Sequence, residues 1–209
     1  MGGMTDIRLA LAGVVLAATS TSAQRSPLLP PGTTRIVEIV REGPRIALCA
    51  ELAEDPIQQG SRLITPTAVW VSDGDEPKKL DAGPAACYPT WSPDGQQLAL
   101  TALDGLWIFT GDLKEGMRRV NATPPEDLGK APATEFDYRA FSHPRWSPDA
   151  ALIAVLVGNG GTSWVQVFEA STGNSVYSSP PETYSFNWGA DSRSLTVGQT
   201  TVTVILPGR

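Results

Sequence analysis

Pro89-Thr-Trp-Ser-Pro-Asp-Gly-Gln-Gln-Leu-Ala-Leu100 returns further along the chain as Pro144-Arg-Trp-Ser-Pro-Asp-Ala-Ala-Leu-Ile-Ala-Val155. A fainter copy runs Phe186-Asn-Trp-Gly-Ala-Asp-Ser-Arg-Ser-Leu-Thr-Val197. The anchoring tryptophans, Trp91, Trp146 and Trp188, stand 55 and 42 residues apart. Self-similarity at about 40–50 residues is the signature of propeller blades, each one a four-stranded sheet. The local chemistry explains why the motif repeats. Pro93 and Pro148 preset φ at the first central position of a type I turn, after Ser92 and Ser147. Asp94, Asp149 and Asp191 suit the next position, and Gly95 suits the exit. The Trp closes one strand as a large apolar anchor, and the run after the turn opens the next.

A second motif sits at a matching place in each unit. Ala68–Leu80, Leu106–Val120 and Val165–Tyr177 each read as a strand, a Gly-containing reversal and a second strand. Laid end to end, the units predict an all-β, propeller-like array of about four four-stranded blades. They span about 35–83, 84–121, 138–179 and 184–206, with an exposed insertion over 122–137 rich in Pro, Ala, Glu and Asp. In the first unit the turn, Arg41-Glu-Gly-Pro-Arg45, has lost its Trp and Asp. The fourth unit stops after Val202–Leu206, one strand short. Propellers remove exposed edges by closing the ring, so Thr33–Val40 is expected to pair beside that last strand and give a closed or nearly closed monomer. A partly open array and a ring built from two chains are the alternatives.

The Trp-Ser-Pro-Asp-Gly turn, followed by a strand with an Asp-Gly-Asp-Glu-Pro-like reversal, resembles the TolB-type, WD-like β-propeller repeat over most of 36–206. The resemblance implies a propeller. Members usually have six blades or more, so four is a departure. The repeat occurs in periplasmic partner-binding proteins and in non-catalytic propellers that precede some serine peptidases, and it does not select between those uses.

The chain has 209 residues, of which 41% are hydrophobic, with 20 Gly and 18 Pro distributed along it. That is enough apolar material for one core and enough breakers for many short strands. Arg8, the apolar run Leu9–Ala18 and the small residues up to Ala23 read as a signal peptide over 1–23. The run is shorter than the roughly 20 residues that cross a bilayer. Residues 24–34, with Pro27, Pro30 and Pro31, read as an extended leader. A periplasmic or secreted location follows, with no membrane span in the mature chain. The net charge of −6 argues against nucleic acid, whose phosphates select basic patches. The densest basic spots, Lys78-Lys79 and Arg118-Arg119, are pairs at strand ends. Cys49 and Cys87 permit one disulfide in an oxidising compartment. Two buried small hydrophobes, or free thiols, fit the same sequence.

Catalytic equipment is not recognisable. His143, the only histidine, is expected at a strand end just before a repeat turn, with no nucleophile motif beside it. There is no Gly-x-Ser-x-Gly elbow and no metal-ligand spacing. Asp94, Asp149 and Asp191 recur at turn positions, where Asp is favoured on backbone grounds, and on separate blades they do not supply the six to eight oxygens calcium needs. Trp70, Trp107 and Trp164 fall at equivalent places on the third strand of each unit, which favours packing over a sugar platform. Asn121-Ala-Thr123 is a glycosylation sequon by letter. The sequence therefore reads as an exported, non-catalytic scaffold without a cofactor that binds a protein or cell-envelope component. Its first candidate contact is the 122–137 loop with Asp127, Lys130 and Glu135. The rivals are a small-ligand or glycan binder working at the cleft where blades converge, and an accessory propeller to a separately encoded hydrolase.

Overall fold

The computed structural model describes residues 29–59, 62–74, 76–103, 105–110, 113, 118–120, 139–159 and 162–206. The expected signal segment and the 122–137 loop, with Asp127, Lys130 and Glu135, lie outside the described residues, as does the Asn121 sequon. The described chain is all β, in seventeen strands. The first sheet holds β1 (Thr33–Glu42), β2 (Arg45–Leu52), β5 (Thr67–Ser72) and β6 (Lys78–Lys79), paired in that order. β3 (Ile57–Gln59) and β4 (Arg62–Ile64) form a separate small hairpin inserted between β2 and β5. The second sheet is β7 (Cys87–Trp91), β8 (Gln97–Ala102), β9 (Gly105–Thr110) and β10 (Arg118–Val120). The third is β11 (Arg139–Trp146), β12 (Leu152–Asn159), β13 (Thr162–Glu169) and β14 (Ser175–Ser178). The fourth has three strands, β15 (Phe186–Trp188), β16 (Ser194–Val197) and β17 (Thr200–Thr203). Every ladder is antiparallel.

Within each sheet the strands follow chain order outward. The first strands β1, β7 and β11 lie side by side and define the inner edge of the array. The second strands of the two middle sheets, β8 and β12, are apolar on both faces because each packs against two neighbouring sheets. In β8, Leu98 and Leu100 face the first sheet while Ala99 faces the third. In β12, Ile153, Val155 and Val157 face the second sheet while Leu152 and Ala154 face the fourth. Each of these Leu, Ile and Val side chains, once buried, contributes about 1.5–3 kcal/mol, and this repeated burial holds the sheets face to face. The outermost strands are polar: Lys78 and Lys79 are exposed on β6, a charge placement that discourages edge-to-edge pairing.

Three expectations are corrected. Thr33–Val40 does not complete the fourth sheet. It belongs to β1, whose partner throughout is β2, across a two-residue turn at Gly43-Pro44 in which Gly43 takes φ 56°. Among the described residues, the same pairing leaves 29–32 of the proposed leader outside a strand. Nor is the array a closed ring among the described residues: the sheets run as an open series, and β17 ends the fourth sheet with one edge free. The last strand also begins at Thr200, two residues before the expected Val202.

Candidate functional site

The repeat residues are bound within their own turns, and their hydrogen bonds decide what remains for function. At the Ser92 turn, Gly95 N–H donates to Ser92 O at 2.8 Å and Gly95 takes φ 66°. The Ser92 hydroxyl donates to Asp94 Oδ1 at 2.6 Å and accepts from Gln97 N–H at 2.9 Å, and Gln96 N–H donates to the same carboxylate oxygen at 3.0 Å. Ser147, Asp149, Ala151 and Leu152 repeat this network at 2.6, 3.0 and 3.1 Å, with Ala150 forced to φ 59° in the place of Gly95. Pro93 and Pro148 cap these turns in solvent. In the fourth unit Gly189 stands where the serine would be. Asp191 is held by the matching Arg193 N–H at 3.0 Å and, in place of the serine, by Ser194 N–H at 2.7 Å. These donors, with the Ser194 hydroxyl foremost, pull the Asp191 carboxyl down to about 2; the Ser92 hydroxyl lowers Asp94 in the same direction. The three aspartates thus bind their own turns.

The tryptophans lock neighbouring sheets. Trp146 Nε1 donates to Thr90 O at 3.1 Å, and Trp188 Nε1 donates to Arg145 O at 3.0 Å. Each indole therefore reaches the carbonyl just before the previous unit's Trp. Trp91 has no such acceptor, and its buried Nε1 is without a hydrogen-bond partner. The first unit lacks the motif, and Arg45 takes over: its guanidinium lies over the Trp91 ring at 4.4 Å and donates to Gly95 O. Cys49 of β2 and Cys87 of β7 are joined by a disulfide, Cα to Cα 5.1 Å, between the first and second sheets. Trp164 is fully buried between the second and third sheets, and Trp107 packs partly buried against the first–second core. Trp70 holds the equivalent face of the first sheet with Leu48, Ala50 and Ala68, beneath Lys79.

What these structural roles leave over gathers at the inner edge. His143 does not end a strand. It lies within β11, at a bulge between Ser142 and Arg145, with φ 52°. Tyr88 lies at the matching bulge of β7, between Cys87 and Thr90, with φ 54°. Positive φ is uncommon for residues with a Cβ, and a bulge re-aims the side chain that it carries. Here it brings the two rings to 4.8 Å between centroids. Glu38 of β1 pairs across from Cys49, on the face turned to the second sheet. One of its carboxylate oxygens, Oε2, is buried without a hydrogen-bond partner. Burial pushes its carboxyl above the usual range, against the opposing pull of His143. Beside His143 a cleft of about 200 Å³ opens between the third and fourth sheets, lined also by Arg145, Tyr184 and Asn187. A second cleft, of about 280 Å³, lies at the turn end between Asp149, Arg193 and Ile205.

The sequence reading singled out His143 and passed over Glu38 and Tyr88. A signal for Tyr88 existed: Tyr88-Pro89 and His143-Pro144 occupy the same offset, three residues before the repeat Trp. Glu38 had none, since its unit has lost the motif that would align it.

Serially packed four-stranded antiparallel sheets, first strands innermost, define a β-propeller array. No protein-family model matches the chain, and no curated protein matches it significantly in sequence. Among solved structures it is similar to the β-propeller domain of the Trilobed protease from Pyrococcus furiosus, at 10% identity and TM-score 0.52, covering 78% of this chain and 47% of that one. It is also similar to Pyrococcus horikoshii acylaminoacyl peptidase (11% identity, TM-score 0.50, 77% and 27% covered) and to Porphyromonas gingivalis dipeptidyl peptidase 4 (15%, 0.50, 82% and 29%). At these identities the likeness is one of fold. The chain spans less than half the length of each of these structures.

Proposed function

We propose that this propeller array is an exported, non-catalytic scaffold that binds another protein or a cell-envelope component at its inner edge and the loops around it. The observation that carries this reading is the convergence of Glu38, Tyr88 and His143 from three successive innermost strands, where loops of a propeller also converge. The repeated aspartates are held by their turns, so the groups offered to a partner are a half-buried carboxylate, two rings and an adjoining cleft. That set grips a ligand; it contains no nucleophile held against a base. The test is affinity capture of the mature protein from its native envelope with mass-spectrometric identification, run beside a variant lacking 122–137. Enrichment of one partner is expected, and its loss in the deletion variant assigns the loop. Absence of any specific partner overturns the scaffold reading, as does turnover of a peptide or glycoside that disappears in His143→Ala.

A further inference from the structure

We infer that the inner edge of the array holds a site for a primary alkylammonium group, formed by the Glu38 carboxylate with the Tyr88 and His143 rings; this rests on the scaffold reading above. Glu38 supplies the charge of this site. Its Oε2 is an acceptor taken out of water with no donor supplied by the described residues. Such an oxygen is completed by an N–H or O–H from outside the fold. A cation does this better than a neutral donor, because it also offsets a half-buried negative charge.

The arginines nearby are otherwise engaged, and His143 acts on Glu38 through its charge without a hydrogen bond to Oε2. Arg35 pairs with Glu51. Arg45 lies over Trp91 and binds Gly95 O. Arg145 donates to Asn187 Oδ1 at 2.8 Å and lies over Phe186, in the cleft between the third and fourth sheets. None of them closes on Glu38.

The aromatic partners fit the same ligand. Glu38 is held across from Cys49, Cys49 is bonded to Cys87, and Tyr88 follows Cys87, so the disulfide ties the strand pair that carries the carboxylate to the strand that carries the phenol ring. Ring faces attract ammonium groups within about 6 Å. The bulges at Tyr88 and His143 keep both rings there at the cost of positive φ, a conformation that persists where the surroundings enforce it. A net charge of −6 also draws cationic ligands toward the chain.

His143 supplies the readout. As the only histidine it gives one isolated set of imidazole resonances in NMR, next to Tyr88. Three probes separate the chemistry and its sources: Nα-acetyllysine amide carries a side-chain ammonium, alanyl-alanine amide carries a terminal one, and Nα,Nε-diacetyllysine amide carries neither. A saturating His143 shift is expected with one or both ammonium probes and not with the diacetylated one. Affinity should fall at least tenfold in Glu38→Gln, and several-fold in Tyr88→Leu but not in Tyr88→Phe. Equal responses to all three probes, no saturable shift in the wild type, or undiminished binding in a folded Glu38→Gln overturns the site. Partner capture that persists in Glu38→Gln while the probes no longer bind shows that the partner docks elsewhere. That outcome supports the ammonium site and separates it from the partner's docking surface, whereas partner capture with no saturable probe shift in the wild type overturns the site and leaves the scaffold reading standing.

Discussion

The interface between the first and second sheets differs from the one between the second and third, although the same geometry brings each pair together. At the second–third interface a complete motif on both sides lets Trp146 donate to Thr90 O, over a core containing Ile153, Val155, Trp164 and Phe168. At the first–second interface the first unit has no Trp-Ser-Pro-Asp turn. Trp91 is left with an unpaired indole N–H, and the join is made by the Cys49–Cys87 disulfide and by Arg45 stacked on the ring. The difference teaches that the requirement is for a lock between sheets and not for one particular lock. Where the repeat decays, a covalent bond and a cation–π contact replace the indole hydrogen bond.

The largest effect should come from breaking the covalent lock. Replacing Cys49 and Cys87 together with Ala, whose residues lie 38 apart in sequence, should lower stability by about 2–4 kcal/mol through restored freedom of the unfolded chain. Calorimetry with and without reductant checks it: reductant should lower the melting temperature of the wild type and not of the double variant. The second test sets the two interfaces directly against each other. Trp146→Phe leaves the carbonyl of Thr90 without its donor, whereas Trp91→Phe removes an N–H that had no partner. The two substitutions delete the same volume, so Trp146→Phe should cost about 1 kcal/mol more, read as the difference in urea midpoint at unchanged m. Equal costs would mean that the indole hydrogen bond does not distinguish the interfaces.

A smaller contrast lies in the turns. Gly95→Ala forces a Cβ into φ 66° and to 2.8 Å from Arg45 Nη2, so it should cost about 1–2 kcal/mol and loosen the Arg45 contact. Ala150→Gly, at the equivalent left-handed position of the third unit, should stabilise by about 0.5 kcal/mol; thermal melts of the two variants should move in opposite directions. The smallest effect is acid dependence. Asp191 has its carboxyl lowered to about 2 in the folded chain. Its contribution is therefore fully present above the ordinary carboxylate range of about 4 and is lost as pH falls from there toward 2. Asp191→Asn should lower stability at neutral pH, flatten the stability profile within that window and match the wild type near pH 2, read from urea midpoints across the range.

Much of this architecture was legible in the chain. Each segment read as a strand-turn-strand, Ala68–Leu80, Leu106–Val120 and Val165–Tyr177, forms the third and fourth strands of a sheet. The Ser92 and Ser147 turns were readable because their bonds close within six residues, and local chemistry of that kind is written in local sequence. The β3–β4 hairpin was missed because its two three-residue strands are too short to show a period. The course of Thr33–Val40 was misread for the opposite reason. Its apolar alternation suits any open edge, and the two-residue turn at Gly43-Pro44 is what ties it to β2.

By itself, then, the sequence determined the kind of object: repeated Trp-anchored turns, alternating strands and buried second strands dictate serial antiparallel sheets. Only the tertiary structure decided which residues meet across sheets. The pairing of Cys49 with Cys87, the stacking of Arg45 on Trp91 and the gathering of Glu38, Tyr88 and His143 at the inner edge all join different units. The physical reason is range. Hydrophobic periodicity and turn chemistry act over a few residues, whereas the inner edge is assembled from strands about fifty residues apart, by the burial of whole sheet faces.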